Sequence, residues 1–323
     1  MEAPYAIERG NAGAADAFRP SEYTRGRKFV LDVGGTPLLL VRGGKAGPTL
    51  SATAGIHGDE YEGIRTILEV FQELDPMAMS GDFLAAPCAN LSAFHAGQRC
   101  TPEDGLNLAR VFPGSATGSV TERIAWTVDH AVIRHADLFI DLHSGGTKFL
   151  MPSMIGYWTG DPRNAQAAEA FGARIIWAHP DLPPGRTLSV AAARGIPGLY
   201  TEARGAGRID REDLTLFRNG IFNLLRYLRI LPGAPQQSRC ELRLFGDGNL
   251  DTTVSCNQDG FLVPEVDLLD EVGRGELLGR LLSLDGTCLE SFFAPRAGVV
   301  ALVHACPLYR AGEPLFLVTE RQS

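Results

Sequence analysis

The sequence predicts an α/β fold followed by a smaller all-β domain. Up to about residue 231, short β-branched apolar runs alternate with segments that carry apolar residues at helical spacing, which is typical of an α/β fold. After the Pro/Gly/Gln-rich stretch 232–238, the chain contains short β-type runs separated by Gly and Asp. We therefore expect one domain over residues 1–238 and a second, β-rich domain over residues 239–323.

The strands of the first domain are predicted where apolar runs stop at glycine or another turn residue. The first two flank Gly34-Gly35, which indicates a hairpin. Residues 1–27 are polar and are expected to form an extended or loosely packed lead-in. Residues 98–114 contain two prolines, two glycines and two arginines and are expected to form a loop. The other predicted strands are 47–55, 82–90, 137–146, 172–178 and 196–203.

Three helices are predicted from apolar residues spaced three and four apart, over 61–74, 119–136 and 212–231. In the second helix, Ser119 precedes Glu122 by three residues, which is the pattern of a capping box. The second domain shows no long helical pattern. Its predicted strands fall within 260–266, 276–284, 290–295, 298–303 and 313–320.

The overall composition argues against several classes of protein. The formal net charge is −8 and the pI about 5.4, with no Lys/Arg-rich run, so we expect no nucleic-acid partner. We find no run of about 18 apolar residues and no secretory signal pattern, so we expect no membrane span and a cytoplasmic location. The six cysteines lie far apart and indicate neither a zinc ribbon nor a disulfide framework.

The candidate functional residues follow the ends of three predicted strands. His57 and Glu60 form an H-x-x-E pair, which chance alone supplies about once in a chain of this composition. Their position past a buried strand is more informative, because ligands of open α/β sheets bind outside the carboxyl ends of strands. His143 follows a second strand and Glu202 a third. Two histidines and one carboxylate form the ligand set of a catalytic zinc site. The alternative interpretation is an ordinary polar loop that follows a strand.

Four motifs, in this order and spacing, resemble the succinylglutamate desuccinylase/aspartoacylase family: GIHGDEYEG, GLNLARVFPG, DLHSGG and TEARGAG. The resemblance covers nearly the whole chain. The longer pattern AGQRCTPEDGLNLARVFPG followed by TERIA is most similar to the subgroup of N-acetyl-diaminobutyrate deacetylases. Because the family is related to the zinc carboxypeptidases, the resemblance implies a zinc-carboxypeptidase-like mixed sheet flanked by helices.

The resemblance also implies Zn²⁺ as cofactor, one ion per chain. His57, Glu60 and His143 match its ligands. Glu202 matches the catalytic Glu, which takes a proton from the attacking water and passes it to the leaving amine. Asp141 either supports the metal site from behind or faces a neighbouring arginine. The remaining histidines match no motif and are expected to be structural or exposed.

Three arginines are candidates for contact with the substrate. Arg99 matches a family arginine that stabilises the oxyanion of the tetrahedral intermediate, and Arg110 matches one that binds a substrate carboxylate. Each is alternatively a structural loop arginine. The chain departs from the family at Ala109, where an Asn is usual, and at Arg204, which with Ala203 interrupts a glycine-rich stretch. Arg204 is therefore a further candidate for substrate binding.

Together these residues predict a zinc-dependent amidohydrolase that removes an acyl group from a small N-acyl amino acid or related amine. A zinc carboxypeptidase or an esterase is the alternative, and a non-catalytic binding protein is a remote one. The C-terminal domain resembles the barrel-sandwich folds that carry biotin or lipoate. No lysine follows Lys148, so attachment of such a group is excluded. We expect that domain to cover the active site or to mediate contacts in a homo-oligomer.

Overall fold

The computed structural model describes residues 7–236, 238–249 and 253–322. The strands in this part of the chain are β1 (Ile7–Asn11), β2 (Arg27–Val33), β3 (Thr36–Arg42), β4 (Lys45–Ala54), β5 (Ser80–Ala86), β6 (Leu138–Leu142), β7 (Phe149–Leu150), β8 (Met154–Trp158), β9 (Ile175–His179), β10 (Gly198–Glu202), β11 (Leu242–Phe245), β12 (Gly260–Pro264), β13 (Glu271–Val272), β14 (Leu277–Leu282), β15 (Cys288–Phe293), β16 (Gly298–His304), β17 (Leu308–Tyr309) and β18 (Phe316–Arg321). The α-helices are α1 (Glu62–Glu73), α2 (Leu91–Ala96), α3 (Val120–Ala131), α4 (Pro162–Phe171), α5 (Thr187–Ala193) and α6 (Arg211–Tyr227).

A large mixed sheet forms the centre of the molecule. Its strands follow the order β1-β2-β3-β5-β4-β6-β10-β8-β9-β11-β18-β16-β13, and β7 pairs with β16. At its middle, β4 and β10 lie parallel to β6 on either side, with Thr53 beside Asp141 and Thr201 beside Leu142. Because these three parallel strands end in register, the residues that follow β4 and β6 and the end of β10 meet at one edge of the sheet.

Helices cover both faces of this sheet. On one face, α1 and α6 bury a core that includes Phe71 and Phe217, and α4 adds to it. On the other face, α3 and α5 pack over a core that includes Val128. Strand β6 contributes to both cores, Ile140 to the first and Phe139 to the second, because successive side chains of a strand point to opposite faces. None of the helices in the described residues has the length and apolar character that a membrane span requires.

The chain beyond residue 239 is built from strands in two connected parts. β11 lies between β9 and β18 and so extends the central sheet, which β16 continues. β15, β14, β12 and β17 form a separate antiparallel sheet over a core that includes Leu262, Leu278 and Phe316. The predicted α/β fold with a β-rich C-terminal part is confirmed. The domain boundary at residue 238 stays a prediction, since the central sheet continues across it.

The structure differs from the sequence prediction mainly in short helices. Helices α2, α4 and α5 are not predicted from the sequence. In α4 and α5, repeated alanines obscure the periodicity that marks a helix face. The predicted helix 119–136 ends as an α-helix at Ala131 and continues as a short 3-10 turn, where β-branched Val132 and Ile133 disfavour the α-helix. Its capping box, with Ser119 and Glu122 bonded to each other's backbone N–H, is confirmed. Residues 1–6 of the predicted lead-in lie outside the described part.

Helices α4 and α6 meet at Gly220, where an added Cβ would overlap the ring of Phe171. We expect Gly220→Ala to lower the free energy of unfolding by about 1–3 kcal/mol, because the overlap outweighs the better helix propensity of alanine. Urea unfolding measures the change. As a control, Asn219→Ala alters the adjacent exposed position and should shift the value by no more than about 0.5 kcal/mol. A stabilised Gly220→Ala variant would contradict this packing.

Candidate metal centre

Three side chains converge at the edge of the sheet where β4, β6 and β10 end. His57 and Glu60 lie in the turn between β4 and α1, and His143 directly follows β6. His57 Nδ1 lies 2.6 Å from Glu60 Oε1, and His143 Nδ1 lies 2.8 Å from Glu60 Oε2. Glycine at position 58 lets this turn pack closely against α2, because a Cβ there would overlap the backbone of Ala93. One carboxylate therefore faces both rings, within a largely buried cluster.

The outer nitrogens of both rings already have acceptors. Asn107 Oδ1 accepts the backbone N–H of Ala109 at 2.9 Å, so the amide oxygen is the atom that faces His57 Nε2 at 3.0 Å. Asp141 Oδ2 lies 3.0 Å from His143 Nε2. A neutral ring that donates from Nε2 turns its Nδ1 lone pair toward Glu60. Lone pairs and a carboxylate at these distances repel each other unless a cation lies among them, and imidazole and carboxylate are zinc ligands.

The charges at this cluster are strongly coupled. Burial raises the pKa of the Glu60 carboxyl, but when the rings of His57 and His143 are protonated, their fields and hydrogen bonds outweigh that effect and hold the pKa of Glu60 well below the usual range. The backbone N–H of Ser144 and Nη1 of Arg99 also donate to Glu60, at 3.2 and 3.0 Å. Glu60 is therefore an ionised ligand candidate, and the donor set as a whole fits a divalent metal ion.

Asp141 supports His143 from inside the sheet. It is buried on β6 and accepts hydrogen bonds from the hydroxyls of Thr53 and Thr187 at 2.7 and 2.6 Å. Of the two alternatives that the sequence left open, the structure shows the carboxylate behind a candidate metal ligand. Such a carboxylate fixes the ring orientation and raises the basicity of the ligand nitrogen.

Glu202 ends β10 beside this cluster. Together with His57 and His143 it lines a cavity with a volume of about 120 Å³. Burial, followed by the negative charge of Glu60, raises the pKa of Glu202 to about 8. Its Oε2 is buried and has no hydrogen-bond partner among the described residues. The carboxyl group can therefore bind and release a proton near neutral pH. The other lining residues include His57, Arg99, Ala109, Arg110, Asp141, His143, Trp158, His179, Asp181, Arg186, Tyr200, Asp247 and Gly248.

Two of the three predicted arginines belong to this cavity. Arg99 reaches Glu60, and Arg110, at the end of a 3-10 turn capped by Asn107, donates to the carbonyl of Ala109 at 3.1 Å. Arg204 lies elsewhere: its exposed guanidinium faces Asp210 at 3.4 Å, and it does not line the cavity. The structure thus brings six of the seven predicted site residues together and leaves Arg204 apart. The roles of all seven stay predictions.

Sequence reasoning missed several residues of this site. Asn107 orients the ring of His57 and lies inside the motif GLNLARVFPG, so its side-chain amide could have been predicted as a site residue from the sequence. His179 was expected to be structural or exposed, yet it lines the cavity together with Tyr200. Arg186 and Asp247 also line the cavity, although no motif in the sequence marks them. Only their approach in three dimensions reveals them.

Comparison with known proteins shows the family to which this chain belongs. Residues 46–228 match the family model described as the succinylglutamate desuccinylase/aspartoacylase catalytic domain. A curated relative, the N-alpha-acetyl-L-2,4-diaminobutyric acid deacetylase of Halomonas elongata, is 30% identical over 88% of this chain and 85% of its own length. The chain belongs to the succinylglutamate desuccinylase/aspartoacylase family. Membership indicates a hydrolase that acts on acyl amide bonds.

Solved structures show the same fold. A succinylglutamate desuccinylase from Silicibacter sp. TM1040 matches with a TM-score of 0.81 at 26% identity, covering 89% of each chain. The product-bound ectoine utilization protein EutE (DoeB) from Ruegeria pomeroyi also matches with a TM-score of 0.81, at 29% identity, covering 88% of this chain and 89% of its own. The overlap extends over most of both chains, so the C-terminal β-rich part is included in the shared fold.

The position of Asp141 predicts its effect on metal binding. We expect Asp141→Asn to lower the affinity for a divalent metal ion about 10- to 100-fold, because an amide cannot accept from His143, Thr53 and Thr187 together. Competition with a chromophoric chelator measures the affinity. Asp137→Asn makes the same change at the other end of the strand, where Asp137 accepts from the backbone N–H of Thr49, and should leave the affinity unchanged. Equal affinities for both variants would contradict the supporting role.

Proposed function

We propose that this protein is a zinc-dependent amidohydrolase that removes the acyl group from a small N-acyl amino acid or related N-acyl amine. The observation that supports this most strongly is the convergence of His57, Glu60 and His143 next to a cavity that the two histidines line together with Glu202. The name of the Halomonas elongata relative supports an acetylated amino acid derivative as the substrate class.

In this proposal His57, Glu60 and His143 bind the ion. Bound zinc supplies a Lewis acid that lowers the pKa of a water molecule toward neutrality and polarises the acyl carbonyl. The protein contributes the orientation of the three ligands, since Asn107 and Asp141 fix the two imidazole rings. His57 and Glu60 are buried and His143 is partly buried, which limits the contact of the ligand atoms with bulk solvent.

Glu202 is the proposed general base and acid. Its carboxylate takes a proton from the attacking water and later delivers it to the nitrogen of the leaving amine. A pKa raised to about 8 suits this exchange, because the group then changes its protonation state close to the working pH. Its unpartnered Oε2 is not committed to another protein group among the described residues.

The two cavity arginines act on the substrate. Arg99 is the proposed partner of the oxyanion that forms on the acyl oxygen, since its guanidinium lies next to Glu60 and keeps further N–H groups available. Arg110 is the proposed partner of a substrate carboxylate, for which a planar guanidinium offers paired donors. Arg204 is not part of the proposal, because its side chain points toward Asp210.

We expect metal content and hydrolysis to disappear together on chelation. Purified protein should contain about one zinc per chain, hydrolyse members of a panel of Nα-acetyl amino acids, and lose that activity on dialysis against a chelator. Zinc addition should restore it, while circular dichroism reports that the fold persists throughout. Dipeptides and acyl esters in the same panel test the carboxypeptidase and esterase alternatives. Full activity in metal-free, folded protein would contradict the proposed function.

The role of Glu202 predicts a separation between metal binding and catalysis. Glu202→Gln keeps the shape of the side chain but cannot accept the proton, so kcat should fall about 10²- to 10⁴-fold with zinc still bound. Steady-state kinetics and metal analysis on the same sample give both values. Glu69→Gln makes the same change on an exposed face of α1 and should behave as the wild type. Loss of zinc in Glu202→Gln would place Glu202 among the metal ligands instead.

A further inference from the structure

A second cavity lies next to the one that Glu202 lines, which is called the catalytic cavity from here on. Its volume is about 350 Å³, compared with about 120 Å³ for the catalytic cavity. Arg99 and Arg110 line both cavities and form a shared wall. The rest of the second cavity is lined by other segments, among them the turn after β4, the residues after β6 and the C-terminal segment 312–314. The proposed reaction leaves this part of the cavity without a role.

Asp59 gives the second cavity a hydrogen-bond acceptor that lacks a partner. The residue is only 6% exposed, and its Oδ2 accepts from the backbone N–H and the hydroxyl of Thr147 at 3.2 and 2.9 Å. Oδ1 is buried and has no hydrogen-bond partner among the described residues. An added Cβ at Gly146 would overlap this carboxylate, so the chain packs closely around it. A buried acceptor in this state lacks the hydrogen bonds that it makes in water, and a donor that enters the cavity restores one.

The other charged residues of the second cavity are paired with each other or lie on the shared wall. Lys148 forms an ion pair with Glu313, so these two charges largely cancel. The guanidinium groups of Arg99 and Arg110 belong to the shared wall. A ligand between Asp59 and that wall therefore meets a carboxylate on one side and cations on the other.

Arg99 is the cation of the shared wall that keeps donors for a ligand. Its Nη1 donates to Glu60 at 3.0 Å, and a guanidinium has five N–H donors in all, so further N–H groups remain. Arg110 donates from Nη1 to the carbonyl of Ala109 at 3.1 Å and adds positive charge to the same wall. The wall is therefore suited to a ligand carboxylate.

Hydrolysis of an N-acyl amino acid creates the charges that this arrangement suits. Water adds to the acyl carbon and the C–N bond breaks, which yields a carboxylic acid and an amine. The amine takes up the proton that the new carboxylic acid loses, so the released amino acid has an ammonium next to its α-carboxylate. The substrate has the α-carboxylate alone, because its nitrogen is a neutral amide. Only the product therefore complements a carboxylate and a guanidinium together.

We propose that the second cavity is a binding site for the free α-amino acid that deacylation releases. The ammonium donates to Asp59 Oδ1, and the α-carboxylate accepts from Arg99 on the shared wall. This inference rests on the proposed deacylase function and assigns the place that the product occupies after the bond is cleaved. Because Arg99 and Arg110 line both cavities, the α-carboxylate stays beside a guanidinium while the product moves between them.

The test compares two probes that differ only in the ammonium group. L-Norvaline is a free α-amino acid, and pentanoate has the same carbon chain and carboxylate without the amine. Calorimetry on the zinc-loaded wild type should show tighter binding of L-norvaline. Asp59→Asn keeps an acceptor for Thr147 but places an NH₂ donor where Oδ1 lies. It should lower the preference for L-norvaline about 10- to 100-fold, which is the effect of one hydrogen bond to a charged group.

Asp104→Asn is the matched control. Asp104 also accepts from the backbone N–H and the hydroxyl of one threonine, Thr121, at 2.9 and 2.6 Å, but it lines neither cavity. This variant should keep the wild-type preference. Metal analysis and thermal melting of both variants check that zinc is bound and that the fold is kept.

Equal affinity of the wild type for the two probes would overturn the inference, and this measurement needs no variant. An unchanged preference in folded, zinc-loaded Asp59→Asn would also overturn it, because the amino acid would then bind without the second cavity. Hydrolysis of Nα-acetyl amino acids is measured separately on the same wild-type sample. Binding that depends on Asp59 without any hydrolysis would support the site and reject the deacylase function. Hydrolysis without such binding would reject the site alone.

Discussion

The site depends on the two oxygens of one buried carboxylate. Glu60 faces His57 with one oxygen and His143 with the other, and Arg99 and the Ser144 amide also donate to it. A buried anion with this many partners is stable only while each partner stays in place. The turn after β4, the end of β6 and the loop that carries Arg99 are therefore tied to a single point. This network accounts for the convergence of segments that are far apart in sequence.

The sheet makes that convergence possible. β4 and β10 run parallel to β6 on either side, and their register brings Thr53 next to Asp141 and Thr201 next to Leu142. Asp141 then bonds across the sheet to Thr53 and to Thr187 at the start of α5, so the element that orients His143 is itself part of the core. A shift of one residue in this register would turn Asp141 to the opposite face and separate it from Thr53 and Thr187.

Site residues that follow the ends of strands could be predicted from the sequence. Residues that reach the cavity from other parts of the fold could not. His57, Glu60, His143 and Glu202 each follow an apolar run and could be placed at one edge by the rule for parallel strands. His179 also ends a strand, but nothing in its local pattern shows that Tyr200 lies beside it. Arg204 is predicted near the pocket because it interrupts a glycine-rich stretch that follows Glu202. Beyond the end of β10, side chains no longer alternate between the two faces of the sheet. The guanidinium of Arg204 therefore faces Asp210 and not the cavity.

The segment from β11 to Asn249 joins the two parts of the chain. β11 completes the hydrogen bonding of β9, Gly246 orients His179, and Asn249 accepts from Arg186. The α/β part therefore depends on the segment that follows it and is not expected to fold correctly when it is transferred alone. A chain cut at residue 238 would leave β9 without its partner β11, and an unpaired strand edge promotes aggregation. Recombination between relatives, in nature or in the laboratory, would therefore have to exchange both parts together or place the crossover beyond residue 249.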